Sequence, residues 1–242
     1  MFEWNSEHSG EAIIFRFEPT IMIDGLKLIK KVPVYPLLGK WWYDKKQARR
    51  LKNWENSGRP DPPPDVLKRK VLRNYAEQYK LKIFVETGTC FGGMVEAMKE
   101  VFERIYSIEL GQDLFEKAKE RFKSEKHIEI IQGDSGKQLR NVMTKIDKPA
   151  LFWLDAHYST GVTARGEKDT PIFEELRQIL AHQDLGHVIV IDDARFFGVD
   201  PAYPTIDELK EFVLSKRNNI RITVEHDSIR IVPHVCAQNE NE

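Results

Sequence analysis

The chain has 242 residues, 41% of them hydrophobic and 31% charged, which suits a globular protein with one large α/β domain and an extension. Its formal net charge of −1 creates no overall field to draw in nucleic acid or an anionic membrane. No apolar run approaches the roughly 20 residues that span a bilayer, the N-terminus lacks a leader pattern, and Cys90 and Cys236 show neither framework nor metal spacing. A cytoplasmic protein without membrane attachment is therefore expected.

Residues 11–35 hold two β-like runs, EAIIFRF and TIMIDGLKLIKKV, with Asp24-Gly25 as a hairpin turn. Over 36–54, Leu37, Leu38, Trp41, Trp42, Leu51 and Trp54 interleave with Lys45, Lys46, Arg49, Arg50 and Lys52, the pattern of an amphipathic helix. It reads as a packed helix with a solvated basic face, or as a lid or dimer contact. The breaker SGRPDPPPD separates this extension, residues 1–60, from a second domain, residues 61–242. Asp65 is placed to cap the next helix, VLKRKVLRNYAEQY.

From residue 82 strands and helices alternate. Strands are expected at 83–87, 104–110, 128–132, 150–155 and 187–192, and helices near 93–102, 113–124, 135–145, 170–182 and 207–216. This order predicts a Rossmann-like, mostly parallel sheet covered on both faces. The final run, NIRITVEHDSIRIVPH, reads as an antiparallel hairpin turning at Glu225-His226-Asp227.

The richest stretch is FVETGTCFGG, residues 84–93. It is a buried strand that ends in a carboxylate and enters a glycine turn. The next strand, RIYSIEL, also ends in an acid, Glu109, placed to grip a ribose diol. Glu86, just before the turn, would repel a diphosphate. Gly88, Gly92 and Gly93 do not match the G-x-G-x-x-G dinucleotide spacing. An adenosyl ligand with no phosphate and a positive charge, S-adenosylmethionine, fits better. The plain alternative is a βα turn whose glycines serve packing alone.

VETGTCFGG, IYSIEL and IQGDS resemble successive motifs of class I S-adenosylmethionine-dependent methyltransferases, whose sheet also closes with an antiparallel hairpin. ETGT-x-x-GG, the LDAH strand end and the later IDDAR strand end resemble macrocin O-methyltransferase-like enzymes, metal-dependent O-methyltransferases of sugars and natural products. The likeness covers roughly residues 82–233; the first 60 or so match no known pattern.

That resemblance implies a site. Thr87, Gly88 and Gly92 would face the methionine moiety, Glu86 its ammonium, Glu109 the ribose, and Asp134 and Ser135 the adenine, with Asp155 bordering the cofactor. Asp155, Asp192 and Asp193 would bind Mg²⁺, an all-oxygen set suited to a hard cation. Otherwise these acids cap helices or neutralise Arg165 and Arg195. His157, in D-x-H after Asp155, is the candidate base, or else merely orients a ligand or loop. Residues 158–169 form a candidate closing loop carrying Arg165. Arg195, Phe196, Phe197 and Tyr203 could wall the acceptor.

The expected activity is O-methylation of a hydroxyl on a sugar or other polyhydroxylated small molecule. The N-terminal segment is material for a homo-oligomer contact. Two other readings stay open: a metal-independent methyltransferase of RNA or protein, using the basic, tryptophan-bearing helix, and a non-enzymatic ligand-binding scaffold.

Overall fold

In the computed structural model the described residues are 34–155 and 170–234, with side chains described from residue 41. The expected N-terminal strands, the 158–169 loop with Arg165, and Cys236 lie outside them. Two compact units divide between Trp42 and Tyr43. In the first, the described residues are helical, and the rings of Trp41 and Trp42 meet edge to face at 5.1 Å.

Helix α1 spans Val34–Asn56 and α2 spans Asp65–Gln78. Asp65 does not cap α2, as its sequence position suggested. Pro64 is the N-cap, without a side-chain cap bond, and Asp65 is the first helical residue. The proline already supplies an extended backbone at φ −68°, ψ 146°, so Asp65 is left to complement the helix dipole. Near the end of α1, Trp54 is buried, donates from Nε1 to the carbonyl of Pro60 in the breaker segment at 2.7 Å and meets the ring of His226 at 5.6 Å.

The rest alternates as expected: β1 Ile83–Thr87, α3 Gly93–Met98, β2 Arg104–Glu109, α4 Gln112–Arg121, β3 Ile128–Gln132, α5 Ser135–Met143, β4 Ala150–Leu154, α6 Ile172–Ala181, β5 Val188–Ile191, α7 Ile206–Leu214, β6 Ile220–Glu225 and β7 Ser228–Pro233. The sheet order is β3-β2-β1-β4-β5-β7-β6. All pairs are parallel except β5 with β7 and β7 with β6. The strand order reverses at β1/β4, the switch point where open α/β sheets bind ligands beyond their C-terminal ends.

β1, β4 and β5 are apolar over nearly their whole length because both faces are covered. On one face Val85, Ile108, Phe152 and Ile189 pack against Leu139, Leu176 and Val213 from α5, α6 and α7. On the other, Phe84, Ile105, Leu151 and Val190 pack against Leu72, Val95 and Phe122. The closing hairpin turns on two residues, His226 and Asp227, both at positive φ (49° and 57°). That left-handed pair matches the right-handed twist of the flanking strands.

The β1–α3 turn is fixed by glycine. Gly92 caps α3 at φ 72°, and a Cβ there would lie 2.6 Å from Cε2 of buried Phe122. Gly92→Ala should therefore lose about 1–3 kcal/mol from overpacking and left-handed strain. The expected result is a clearly lower urea midpoint with an unchanged slope; an unchanged midpoint would mean that the turn is slack.

Candidate active site

Parallel register carries the strand ends to one edge. Thr87 pairs with Ile108 on one side and Leu154 on the other. The ladder then runs past the strands: Asp155 N donates to Thr87 O at 3.2 Å, and Asp192 N to Leu154 O at 3.0 Å. Glu86, Glu109, Asp155 and Asp192 thus stand along a single rim.

The first half of the site is the β1–α3 turn. The amides of Gly88 (φ 87°) and Thr89 both donate to Ile108 O, at 2.9 and 3.2 Å. Glu109 Oε2 accepts from Cys90 N at 2.7 Å and Oε1 from Gly111 N at 2.8 Å. Both carboxylate oxygens are thereby aimed, and each retains a lone pair for a ligand hydroxyl. Glu86 is buried beneath, taking a short hydrogen bond from Ser107 Oγ, which in turn meets Thr89 Oγ1 at 2.6 Å. Burial, together with repulsion from Asp155 and Glu109, pushes the Glu86 carboxyl up to about 8 despite the Ser107 bond. Asp134 caps α5, accepting from Gly136 N at 2.9 Å, and Ser135 is buried behind it.

The second half is acidic. Ligand oxygens of Asp155, Asp192 and Asp193 lie within 4.8 Å of one another. Asp193 takes a left-handed backbone, φ 59°, that turns the chain into the short 3₁₀ helix Ala194–Phe196. Among the described residues, Lys68 and Arg195 bring positive charge to this cluster. Lys68 of α2 binds Asp192 Oδ2 closely, and Arg195 Nη1 donates to Asp193 Oδ1 at 2.7 Å and to Asp227 Oδ2 more closely still. Asp227 also accepts from Arg195 N at 2.8 Å. The expected alternative partner for these acids, Arg195, is therefore real, while Arg165 lies outside the described residues. Asp192 Oδ1 is buried with no hydrogen-bond partner. Burial and repulsion by Asp155 outweigh the pull of Lys68 and lift the Asp192 carboxyl to about 7. Burial opposes the Lys68 charge, yet Asp192, Asp155 and Asp193 hold its pKa above the ordinary lysine value.

Beside the cluster a cleft of about 260 Å³ opens to solvent, lined by Asp155, Asp192, Glu175, Phe197 and Tyr203 among others. Phe197 and Tyr203 meet edge to face at 5.1 Å. His157 lies outside the described residues. His127, His182 and His187 stand away from the site; His187 is driven down to about 4 by burial and accepts from Ala150 N.

Three participants were not anticipated. Lys68 shares the i, i+4, i+8 stripe of α2 with buried Leu72 and Ala76. Glu175 interrupts the apolar stripe Ile172, Leu176, Ile179 of α6. Asp227 occupies the hairpin turn. In each case the legible signal is a charge on an otherwise apolar or strained position. Glu175 Oε1 is also buried without a partner, and burial lifts its carboxyl to about 7 against the pull of the Ser135 and Thr87 hydroxyls.

No known family profile matches the chain, and no curated protein matches it in sequence. Solved structures do match. The O-methyltransferase TomG from Streptomyces achromogenes, in complex with SAM, aligns over 77% of this chain and 88% of its own at 18% identity and a TM-score of 0.52. The O-methyltransferase from Bacillus cereus, in complex with SAH, aligns over 78% and 90% at 14% identity and 0.52. The SAH-bound methyltransferase PaMTH1 of Podospora anserina aligns over 87% and 100% at 17% identity and 0.51. The chain has the class I methyltransferase fold. Gly88, in the turn after β1, and Glu109, ending β2, stand beside the switch point of this sheet. Among the described residues, no helix is long and apolar enough to cross a membrane.

The raised Glu86 carboxyl has a measurable consequence. From its ordinary value of 4.5 up to about 8, the folded protein holds a proton that the unfolded chain has lost. Stability therefore falls as pH rises through that window, by up to ~1.4 kcal/mol per pH unit for each such group. Glu86→Gln should melt above the wild type at pH 8, with the gap closing towards pH 4.5. A gap that does not change with pH would show that Glu86 is ionised in the fold.

Proposed function

We propose that this protein is an S-adenosylmethionine-dependent O-methyltransferase. Its acceptor would be a hydroxyl of a sugar or another polyhydroxylated small molecule, with Mg²⁺ held by Asp155, Asp192 and Asp193. The observation that carries this reading is the meeting, at one sheet edge, of an adenosyl-type turn with an all-oxygen cluster bearing a bare buried oxygen. A buried carboxylate oxygen without a partner is costly, and a hard cation is the group that this donor set suits.

The chemistry would proceed as an in-line displacement from sulfonium to oxygen. S-adenosylmethionine supplies the methyl group, and the bound cation supplies Lewis-acid charge that lowers the pKa of a hydroxyl and fixes its direction. The residues of this chain do the rest. Glu109, already oriented by Cys90 and Gly111 amides, would accept from both ribose hydroxyls. Glu86 would face the ammonium, whose charge favours the ionised carboxylate. Thr87, Gly88 and Gly92 would line the methionine, and Asp134 and Ser135 the adenine side. His157 would take the acceptor's proton. Phe197 and Tyr203 would present flat faces to the acceptor and keep water out. A cytoplasmic location follows as part of this proposal.

A second reading, a macromolecular acceptor, draws on the exposed face of α1, where Tyr43, Lys46, Arg49, Arg50 and Lys52 are all open to solvent. Salt-sensitive retention on heparin would favour it.

Thermal melting distinguishes these ideas. A saturating adenosyl ligand should raise the midpoint by about 5–10 °C at a hundredfold excess over Kd. SAM and SAH should do so, NAD⁺ should not, and Glu109→Ala should lose the response. Mg²⁺ should add a separate rise, abolished by EDTA and by the Asp192→Ala/Asp193→Ala double variant. Silence towards both adenosyl ligands would overturn the cofactor; a rise with no Mg²⁺ effect would overturn the metal alone.

A further inference from the structure

We propose that Lys68 is a built-in counter-cation of the acidic cluster, a positioning residue that holds Asp192 in place without metal and weakens the cluster's grip on a divalent ion. This rests on the metal reading above. Its own ground is the geometry of α2. Lys68 stands on the buried stripe of that helix, with a side chain only 16% exposed. Its ammonium lies 5.9 Å from the centre of the Trp153 ring and binds Asp192 Oδ2.

The division of Asp192 is the telling point. Oδ2 is taken by Lys68, and Oδ1 is left bare. Lys68 lines a separate pocket with Leu67, Val71, Trp153 and Val190, whereas Asp192 lines the cleft shared with Asp155 and Glu175. The lysine therefore approaches from behind, from the α2 face of the sheet. It pins one oxygen, so the carboxylate cannot swing away when no metal is present.

The same fixed charge acts on the metal. An ammonium one carboxylate away from a divalent ion repels it, and the low-polarity setting beside Trp153 gives little screening. A cluster without that charge would bind the ion more tightly but would be strained when empty, three acids facing each other with no neighbour to balance Asp192. Lys68 exchanges affinity for an assembled, empty site from which a metal can depart.

The test is Mn²⁺ affinity by isothermal titration at pH 8, where proton competition at the acids is small, together with melting in EDTA. Lys68→Met should bind Mn²⁺ at least tenfold more tightly than the wild type, melt lower in EDTA, and gain more from Mn²⁺. Lys68→Gln, which can still donate to Asp192 but carries no charge, should also bind more tightly and guards against a Met variant that fails to fold. Lys68→Arg should restore the wild-type affinity. Equal or weaker binding by the folded Met and Gln variants would overturn the proposal while leaving the metal site intact. A wild type that binds no Mn²⁺, or binds it equally in Asp192→Ala/Asp193→Ala, would remove the metal reading and this proposal together.

Discussion

Parallel pairing of β2, β1, β4 and β5 brings four chain reversals to the same rim, and the chemistry of the molecule depends on what those reversals carry. Each strand is sheathed in apolar side chains on both faces, so polar groups can gather only where the strands stop. Here they stop at Glu86, Glu109, Asp155 and Asp192. Like charges in a row repel, and the fold answers each differently. Glu86 goes underground with a proton, Glu109 is clasped by two amides, Asp192 takes a lysine and Asp193 an arginine. The result is a rim whose negative charge is kept but held still, and a held carboxylate is the kind that can receive a ligand without first being reorganised.

Much of this was legible in the residues. The apolar runs of β1, β4 and β5 announced buried parallel strands, and the glycines after β1 announced the tight turn that meets Glu109. The acids at residues 155, 192 and 193 could be seen to converge because adjacent parallel strands end together. The closing hairpin was visible as a run of alternating residues around Glu225-His226-Asp227. Beyond Arg195, what could not be read were the distant partners, Lys68 and Asp227. Lys68 lies 124 positions from Asp192 and Asp227 lies 32 from Arg195, so no local pattern links them. Glu175 is shut in only when α6 packs against α5, a contact that the helix's own sequence does not specify. The misplaced cap at Asp65 has a local cause: a proline one position earlier had already set the backbone.

The site also explains where the molecule spends stability. Glu86, Glu175 and Asp192 are all buried acids held above their usual range, and unpartnered oxygens remain on the last two. A fold selected for stability alone would replace them with apolar side chains. Their gathering near the switch point is what binding a charged ligand would require.

The hairpin turn carries a last consequence. Asp227 is the residue that ties down Arg195, and through it Asp193, yet it arrives with β7, the final strand of the described chain. During synthesis the rim is laid down strand by strand from β1, and Arg195 emerges with only half its partners. The loop after β5 can settle only once the hairpin has turned and β7 has slotted between β5 and β6. A chain ending before residue 227 would keep the five parallel strands, leave β6 without a neighbour, and hold an unfinished rim. Order in the acidic half of the rim is thereby tied to formation of the β6–β7 hairpin, a contact made across the sheet rather than along the chain.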